Sequence, residues 1–177
     1  SLKSTIESSL GTDNVVVDIQ MLSEDQYLQS TYQATTGAAG DFDISNASGW
    51  GPDYVDPSTY LNIYDSRTGD MLKTLGLEGS ALVEGEDPSK EAKEAIGLAE
   101  YDALLDKASA IFENTDERYA AYAEAEAWLL NNVIQIPVNS DEGLPRVTKV
   151  VPFTAPDGWA GIAANKLKYV ELQDDIV

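Results

Sequence analysis

Val15-Val16-Val17-Asp18-Ile19 is the stretch on which the fold assignment turns. Branched side chains suit a pleated, packed surface, so the run reads as a buried strand. Leu2, Ile6 and Leu10 precede it at four-residue spacing and Gly11 follows them, the pattern of a short amphipathic helix with a glycine stop. Downstream, Ser23 with Gln26 forms a capping-box signature, and Tyr27, Leu28, Thr31 and Tyr32 supply a helical face that Gly37 and Gly40 bring to an end. Residues 42–47, bounded by Gly40 and Gly49, read as a second strand. A strand, a crossover helix and a strand most economically make a right-handed parallel pair. The expectation is therefore an α/β fold, not an all-helical one.

Residues 65–90 turn to Gly, Ser, Asp and Glu, with Leu72, Leu75 and Leu77 as anchors of a long surface connection. Two helices are expected next. Tyr101, Leu104, Leu105, Ala108, Ile111 and Phe112 fall on one stripe. Asn114 or Thr115 then caps a segment in which Tyr119, Tyr122, Ala123, Ala127 and Leu130 share a face. The pair is expected to cover the sheet, with Trp128 in the core. Residues 133–138, with Pro137 at a strand end or edge, and residues 146–153 and 166–172 are further strand candidates.

Composition narrows the chemistry. Hydrophobic residues make up 43% and charged residues 24% of the 177 residues, ordinary globular proportions. Eleven basic residues against 31 acidic ones give a net charge of −20, spread along the chain, a field that disfavours nucleic acid and anionic lipid. There is no cysteine and no histidine, which removes thiolate sites, the commonest general base and the commonest zinc ligand. Carboxylates are left as the only acid and base option. No apolar run approaches the 18 or so residues of a membrane span, and residues 1–10 lack the regions of a signal peptide; if the protein is exported, its address lies upstream of this chain.

In an open parallel sheet, ligands bind outside the carboxyl ends of the strands, which directs attention to the loop after residues 42–47. That loop reads Ser48, Gly49, Trp50, Gly51, Pro52, Asp53, Tyr54, Val55, Asp56, Pro57. Glycines let a foreign backbone come close, and aromatic rings wall off water around a charge. Asp56 before Pro57 reads as an acidic N-cap followed by proline at the first helical position, opening a helix that carries Tyr60, Leu61 and Tyr64. Asp53 has no such structural duty; it is either a solvated loop acid or an anchor for a cationic group, presented by the stiff Pro52 beside Trp50.

The segment Gly-Trp-Gly-Pro-Asp-Tyr-Val-Asp-Pro, residues 49–57, followed by Ser58, Thr59, Tyr60 and Leu61, resembles the hallmark loop of the oligopeptide-binding proteins of ABC importers. The opening helix and the Val-Val-Val-Asp-Ile run, Gln135-Ile136-Pro137-Val138, and the closing Lys168-Tyr169-Val170-Glu171-Leu172-Gln173 are similar to the carboxyl-terminal part of streptococcal members. The resemblance implies a periplasmic-binding-protein-like lobe with a mostly parallel sheet flanked by helices, one half of a two-lobe receptor. It implies residues 1–145 as the peptide-binding lobe and residues 146–177 as a segment returning to a first lobe that is absent here. By matching position, Asp53 is implied to bind the α-amine of an extended peptide. Trp50 and the backbone of Ser48, Gly49 and Gly51 are implied to pair with the peptide as an added strand, with Tyr54 beside them. The implied partners are oligopeptides with a free amino terminus and a membrane permease. The implied place is the outer face of a Gram-positive membrane, with anchorage as a lipoprotein through an upstream segment. No catalytic residue, metal or cofactor is implied.

Other classes of function draw on some of the same residues. Asp53 and Asp56 as paired carboxylates suggest a hydrolase, but both lie in one short loop. Asp65, Arg67, Gly69 and Asp70 suggest a calcium loop, but Arg67 and Gly69 stand where oxygen ligands are needed. An adhesive surface domain suits an acidic, cysteine-free chain equally well. The runs 84–87 and 113–118 read as solvated faces and caps.

Overall fold

In a computed structural model, the structure describes residues 1–46, 54–79, 87–138, 147–155 and 167–175. Its described elements are helical. They are α1 (Leu2–Leu10), α2 (Glu24–Ser30), α3 (Ser58–Leu61), α4 (Lys90–Ile96), α5 (Leu98–Ser109) and α6 (Thr115–Asn131), with 3₁₀ turns at Gly37–Ala39, Asn62–Tyr64 and Asp70–Leu75.

Local signals place several of these ends. Ser1 and Ser4 form a capping box at α1, and Gly11 closes that helix at φ 83°. Ser23 and Gln26 form the capping box expected at α2, with Glu24 and Asp25 in its first turn, where the helix dipole favours anions. The Asn114 carboxamide accepts from the amides of Asp116 and Glu117 at 3.1 and 3.2 Å and so starts α6.

The core lies between α5 and α6. Leu98, Tyr101, Leu105 and Ala108 of α5 are buried together with Ala121, Tyr122, Ala125, Trp128 and Leu129 of α6. The Tyr101 and Trp128 rings lie 5.4 Å apart, and Trp128 Nε1 donates to Glu100 at 3.2 Å. Phe112, expected on the buried stripe, is 86% exposed, because α5 stops at Ser109 and the chain turns before reaching it. The face expected for α6 is also corrected. Tyr119, Ala123, Ala127 and Leu130 are exposed, and Tyr122 alone of that set is buried.

Residues 65–79 are not a surface connection. Met71, Leu72 and Leu77 join the core, and the carboxylate of buried Glu78 accepts from the Gly37 amide at 2.7 Å. Gly37 is required by that approach, since a Cβ there would fall 2.3 Å from the Leu77 carbonyl oxygen. Buried Lys93 of α4 closes the other side, donating to the Ser66 carbonyl at 2.8 Å and to Asp87 at 2.6 Å. Residues 80–86 lie outside the described residues.

The expectation of an α/β lobe with a mostly parallel sheet is overturned, because no sheet is present among the described residues. A strand is stable only beside another, and among the described residues none of the expected runs is paired beyond a single bridge. Val16 and Ile19 are 74% and 55% exposed. The Val17 backbone is satisfied by side chains of α1 instead: its amide donates to Glu7 at 2.9 Å and its carbonyl accepts from Lys3. Ile44 is likewise exposed in a run that forms no strand; Ala47 lies outside the described residues. Val133, expected to begin a strand, sits at φ 57° and closes α6 in a Schellman motif, with its own amide donating to Leu130 and that of Ile134 to Leu129. The runs at 146–153 and 166–172 do meet, at a single antiparallel bridge between Val150 and Leu172.

A buried hydrogen bond helps tie α3 to the helical pair: the Tyr101 hydroxyl donates to the Leu61 carbonyl at 2.7 Å. Tyr101→Phe keeps the ring and removes one donor from that carbonyl, so it should cost about 0.5 to 1.5 kcal/mol. A lowered urea midpoint at unchanged slope is the expected readout, and an unchanged midpoint would show the bond to be dispensable.

Candidate functional site

The loop singled out by the sequence rejoins the described structure at Tyr54, whose side chain is 74% exposed. Ser48, Gly49, Trp50, Gly51, Pro52 and Asp53 lie outside the described residues, as does Trp159. What the structure does define is how the carboxyl side of the loop is held. The Tyr54 carbonyl accepts from the Thr59 hydroxyl at 3.4 Å. Asp56 Oδ1 accepts from the Ser58 amide at 3.0 Å, and the Asp56 carbonyl accepts from the Thr59 amide at 3.1 Å. Asp56 thus caps α3 as its sequence context suggests, but from one position farther out, with Pro57 as the N-cap residue.

Asp56 has a second partner that sequence reasoning missed. Arg118 of α6 grips both carboxylate oxygens, with Nε 2.9 Å from Oδ2 and Nη2 3.0 Å from Oδ1. This is the planar two-pronged match of guanidinium and carboxylate. The other prong of Arg118, Nη1, donates to the carbonyls of Ala108 at 3.2 Å and Ile111 at 3.0 Å, where α5 ends and its dipole is negative. Its guanidinium carbon stands 5.0 Å from the centre of the Tyr122 ring. One side chain therefore joins the loop, the end of α5 and the face of α6.

A cation in the second turn of a helix opposes the positive end of the helix dipole, so Arg118 asks for a partner even in the sequence. Its partner lies 62 residues away and was not legible there. Segment 113–118 is accordingly more than the solvated cap it resembles.

The electrostatics follow. Hydrogen bonds from Arg118 hold the Asp56 carboxyl down at about 2, against the opposing push of burial and with support from Ser58. Asp56 is a fixed anion at neutral pH, so it is unfit as the general acid that a pair of hydrolytic carboxylates needs. Beside the ion pair, an open cleft of about 420 Å³ is lined by Val55, Ile111, Phe112, Thr115 and Tyr119.

A second cluster pins the next segment to α5. Arg67 pairs with Asp65 at 2.6 Å and with Asp106 at 2.8 Å, and Asp102 accepts from the Ser66 amide at 2.8 Å and from its hydroxyl. Asp65, weighed as a calcium ligand, thus gives its oxygens to Arg67. Among the described residues no group of His, Cys, Asp or Glu is arranged to hold a metal ion, and no helix is long and apolar enough to cross a membrane.

Acid stability tests the Asp56–Arg118 pair. Because the folded-state value lies below the ordinary 3.8, the pair contributes fully above that pH and loses its contribution as pH falls from 3.8 toward about 2. Asp56→Asn should remove this component, so the gap in urea midpoint between wild type and variant should narrow across that window. A gap that stays constant would place the ion pair elsewhere.

No family model matches the chain. Its whole length aligns with streptococcal proteins. It is 46% identical over 181 residues to the oligopeptide-binding protein SarA of Streptococcus gordonii. It is 42% identical over 178 residues to the oligopeptide-binding protein AliB, and 37% identical over 181 residues to the oligopeptide-binding protein AmiA, both of Streptococcus pneumoniae serotype 4. In each case all of this chain is covered, against 26% of the relative. The chain is thus similar throughout its length to streptococcal oligopeptide-binding proteins, and it spans about a quarter of theirs.

Proposed function

We propose that the chain supplies one wall of the peptide site in an oligopeptide receptor, serving an ABC importer at the outer face of the cell membrane. The observation that carries this reading is the 46% identity, across the entire chain, with a protein named for oligopeptide binding. The Gly49 to Pro57 motif lies within the aligned stretch. The role is capture, not catalysis, and the receptor hands its peptide to a membrane permease. It is held at the membrane as a lipoprotein through a segment upstream of these residues.

Within the site, Asp53 receives the peptide's α-amine. Ser48, Gly49, Trp50 and Gly51 offer main chain for pairing with the peptide as an added strand, and Tyr54 and Trp50 shield the charge from water. Main-chain pairing gives affinity without demanding a sequence, and a shielded amine-to-carboxylate bond adds about 1.5 to 3 kcal/mol. Capture of Asp56 by Arg118 supports this division, because it removes the neighbouring carboxylate from competition for the amine. Residues 146–177 are proposed to pack on a first lobe that forms the opposite wall. The exposure of Val147, Phe153, Leu167, Tyr169 and Leu172 supports that, being apolar surface left without cover among the described residues.

Asp53→Ala in the whole receptor should weaken binding of free-amine peptides about tenfold or more by calorimetric titration. Undiminished binding would remove Asp53 from the site. The isolated 177-residue chain, lacking the second wall, should show no binding at micromolar peptide; titration with micromolar affinity would refute the two-lobe reading.

A further inference from the structure

Phe112 stands exposed at the point where α5 has ended and α6 has not begun. A lone apolar residue on a surface needs no explanation, but this one has company. Val55, 62% exposed, and Tyr119, 45% exposed, line the same open cleft of about 420 Å³, a size within the roughly 300 to 1,000 Å³ of ligand sites. Contiguous apolar surface rimmed by polar groups marks an interaction site. The walls are held before anything arrives. Arg118 Nη1 bonds the carbonyl of Ile111, next to Phe112, at 3.0 Å, and the same guanidinium grips Asp56, next to Val55. That ion pair is neutral overall, so it neither draws nor repels a charge. The rim is different. Glu113, Asp116 and Glu117 flank Phe112 and Thr115 in sequence and are exposed, and among the described residues their carboxylates have no partner.

We propose that this cleft is a side-chain subsite of the peptide receptor, one that takes a bulky apolar side chain flanked by lysine or arginine. The inference rests on the peptide-receptor reading above, but it uses described residues alone and does not depend on Asp53. An apolar side chain of the ligand covers the exposed faces of Val55, Phe112 and Tyr119, and water leaves both surfaces. Ammonium or guanidinium groups on either side meet the three free carboxylates, which reject acidic peptides by like charge. A cleft of this volume admits one or two side chains, which suits a peptide, whereas a folded partner needs about 800 Å² on each side. The field of −20 draws any basic peptide, so the apolar contact is what tells one basic peptide from another.

The test uses the whole receptor and alanine heptapeptides labelled at the carboxyl end, read by fluorescence anisotropy. Each carries Lys-Phe-Lys, Lys-Ala-Lys or Glu-Phe-Glu, placed in every internal register. All share one free amino terminus, so any contact to the α-amine cancels between them. In its best register Lys-Phe-Lys should bind about fivefold or more tightly than either control. Phe112→Ala, which leaves the core intact because Phe112 is exposed, should bring Lys-Phe-Lys to within about twofold of Lys-Ala-Lys and leave the latter as in wild type. Replacing the rim by Glu113→Gln, Asp116→Asn and Glu117→Gln together should instead remove the advantage over Glu-Phe-Glu. The proposal is overturned by a wild type without preference, or by equal loss for all three triplets in Phe112→Ala. An unchanged preference in Phe112→Ala overturns it too, showing that the contact lies elsewhere or that another part of the receptor or a second copy covers the cleft. If no triplet binds, the receptor reading itself fails and the subsite falls with it, whereas an Asp53→Ala loss shared by all triplets leaves the subsite standing.

Discussion

Packing of α5 against α6 is the constraint from which the remaining structure hangs. The two helices bury a continuous set of side chains from Leu98 to Leu129, and the segment of residues 54–79 has nothing comparable of its own. That segment is a four-residue helix followed by 3₁₀ turns, elements too short to persist alone. Its place is set by polar ties reaching out from the helical pair. Tyr101 holds the Leu61 carbonyl, Asp102 holds Ser66, Asp106 holds Arg67, and Arg118 holds Asp56. Apolar burial of Leu61, Tyr64, Met71 and Leu72 supplies attraction, but it is the directional bonds that choose one arrangement of so irregular a segment.

In a chain of charge −20, cations are scarce, and where they stand is informative. Lys107 with Glu124 is an exposed pair of the kind that contributes little, and Lys3 with Glu7 joins the start of the chain to Val17. Arg67 and Arg118 differ, because each bridges segments far apart in sequence and each uses the guanidinium fork at both edges. The Arg118–Asp56 pair, the more shielded of the two, is a weak source of net stability, since desolvation offsets attraction, but breaking it leaves a charge without its match. Its value lies in geometry.

This distinction explains what the sequence made legible. Gly11, the Ser23 and Gln26 box and the Asn114 cap were readable because each signal and its effect lie within a few residues. The burial face of α6 was misread for a compositional reason: alanines at 120, 121, 123, 125 and 127 give neighbouring faces similar hydropathy, and the decision passed to where Tyr101 and Leu105 stand on α5. The strands were misread because β-branched runs specify a strand only when another lies alongside, and Val17 found Lys3 and Glu7 instead. Of the site, the glycine-aromatic-aspartate loop was visible as a motif and the capping duty of Asp56 as a local pattern. The clamp from Arg118 was not, since it depends on how α6 crosses the end of α5.

On the proposed reading of the loop, the same clamp bears on how an acidic chain selects one nitrogen of a peptide. A field from 31 carboxylates draws any cation toward the surface, and at physiological salt that attraction is screened within about 8 Å, so it does not distinguish an amino terminus from a lysine side chain. Discrimination must come from contact geometry, which requires one carboxylate held in place and its neighbours taken out of competition. Asp56 stands three residues from Asp53 and is the neighbour best placed to compete. Oδ1 already accepts from the Ser58 amide and Arg118 Nη2, and Oδ2 from Arg118 Nε, so an ammonium arriving there competes with a guanidinium for the same carboxylate. On the proposed reading, the structure spends one of its few arginines to make the loop's two acids unequal, and that inequality converts a diffuse negative surface into an address.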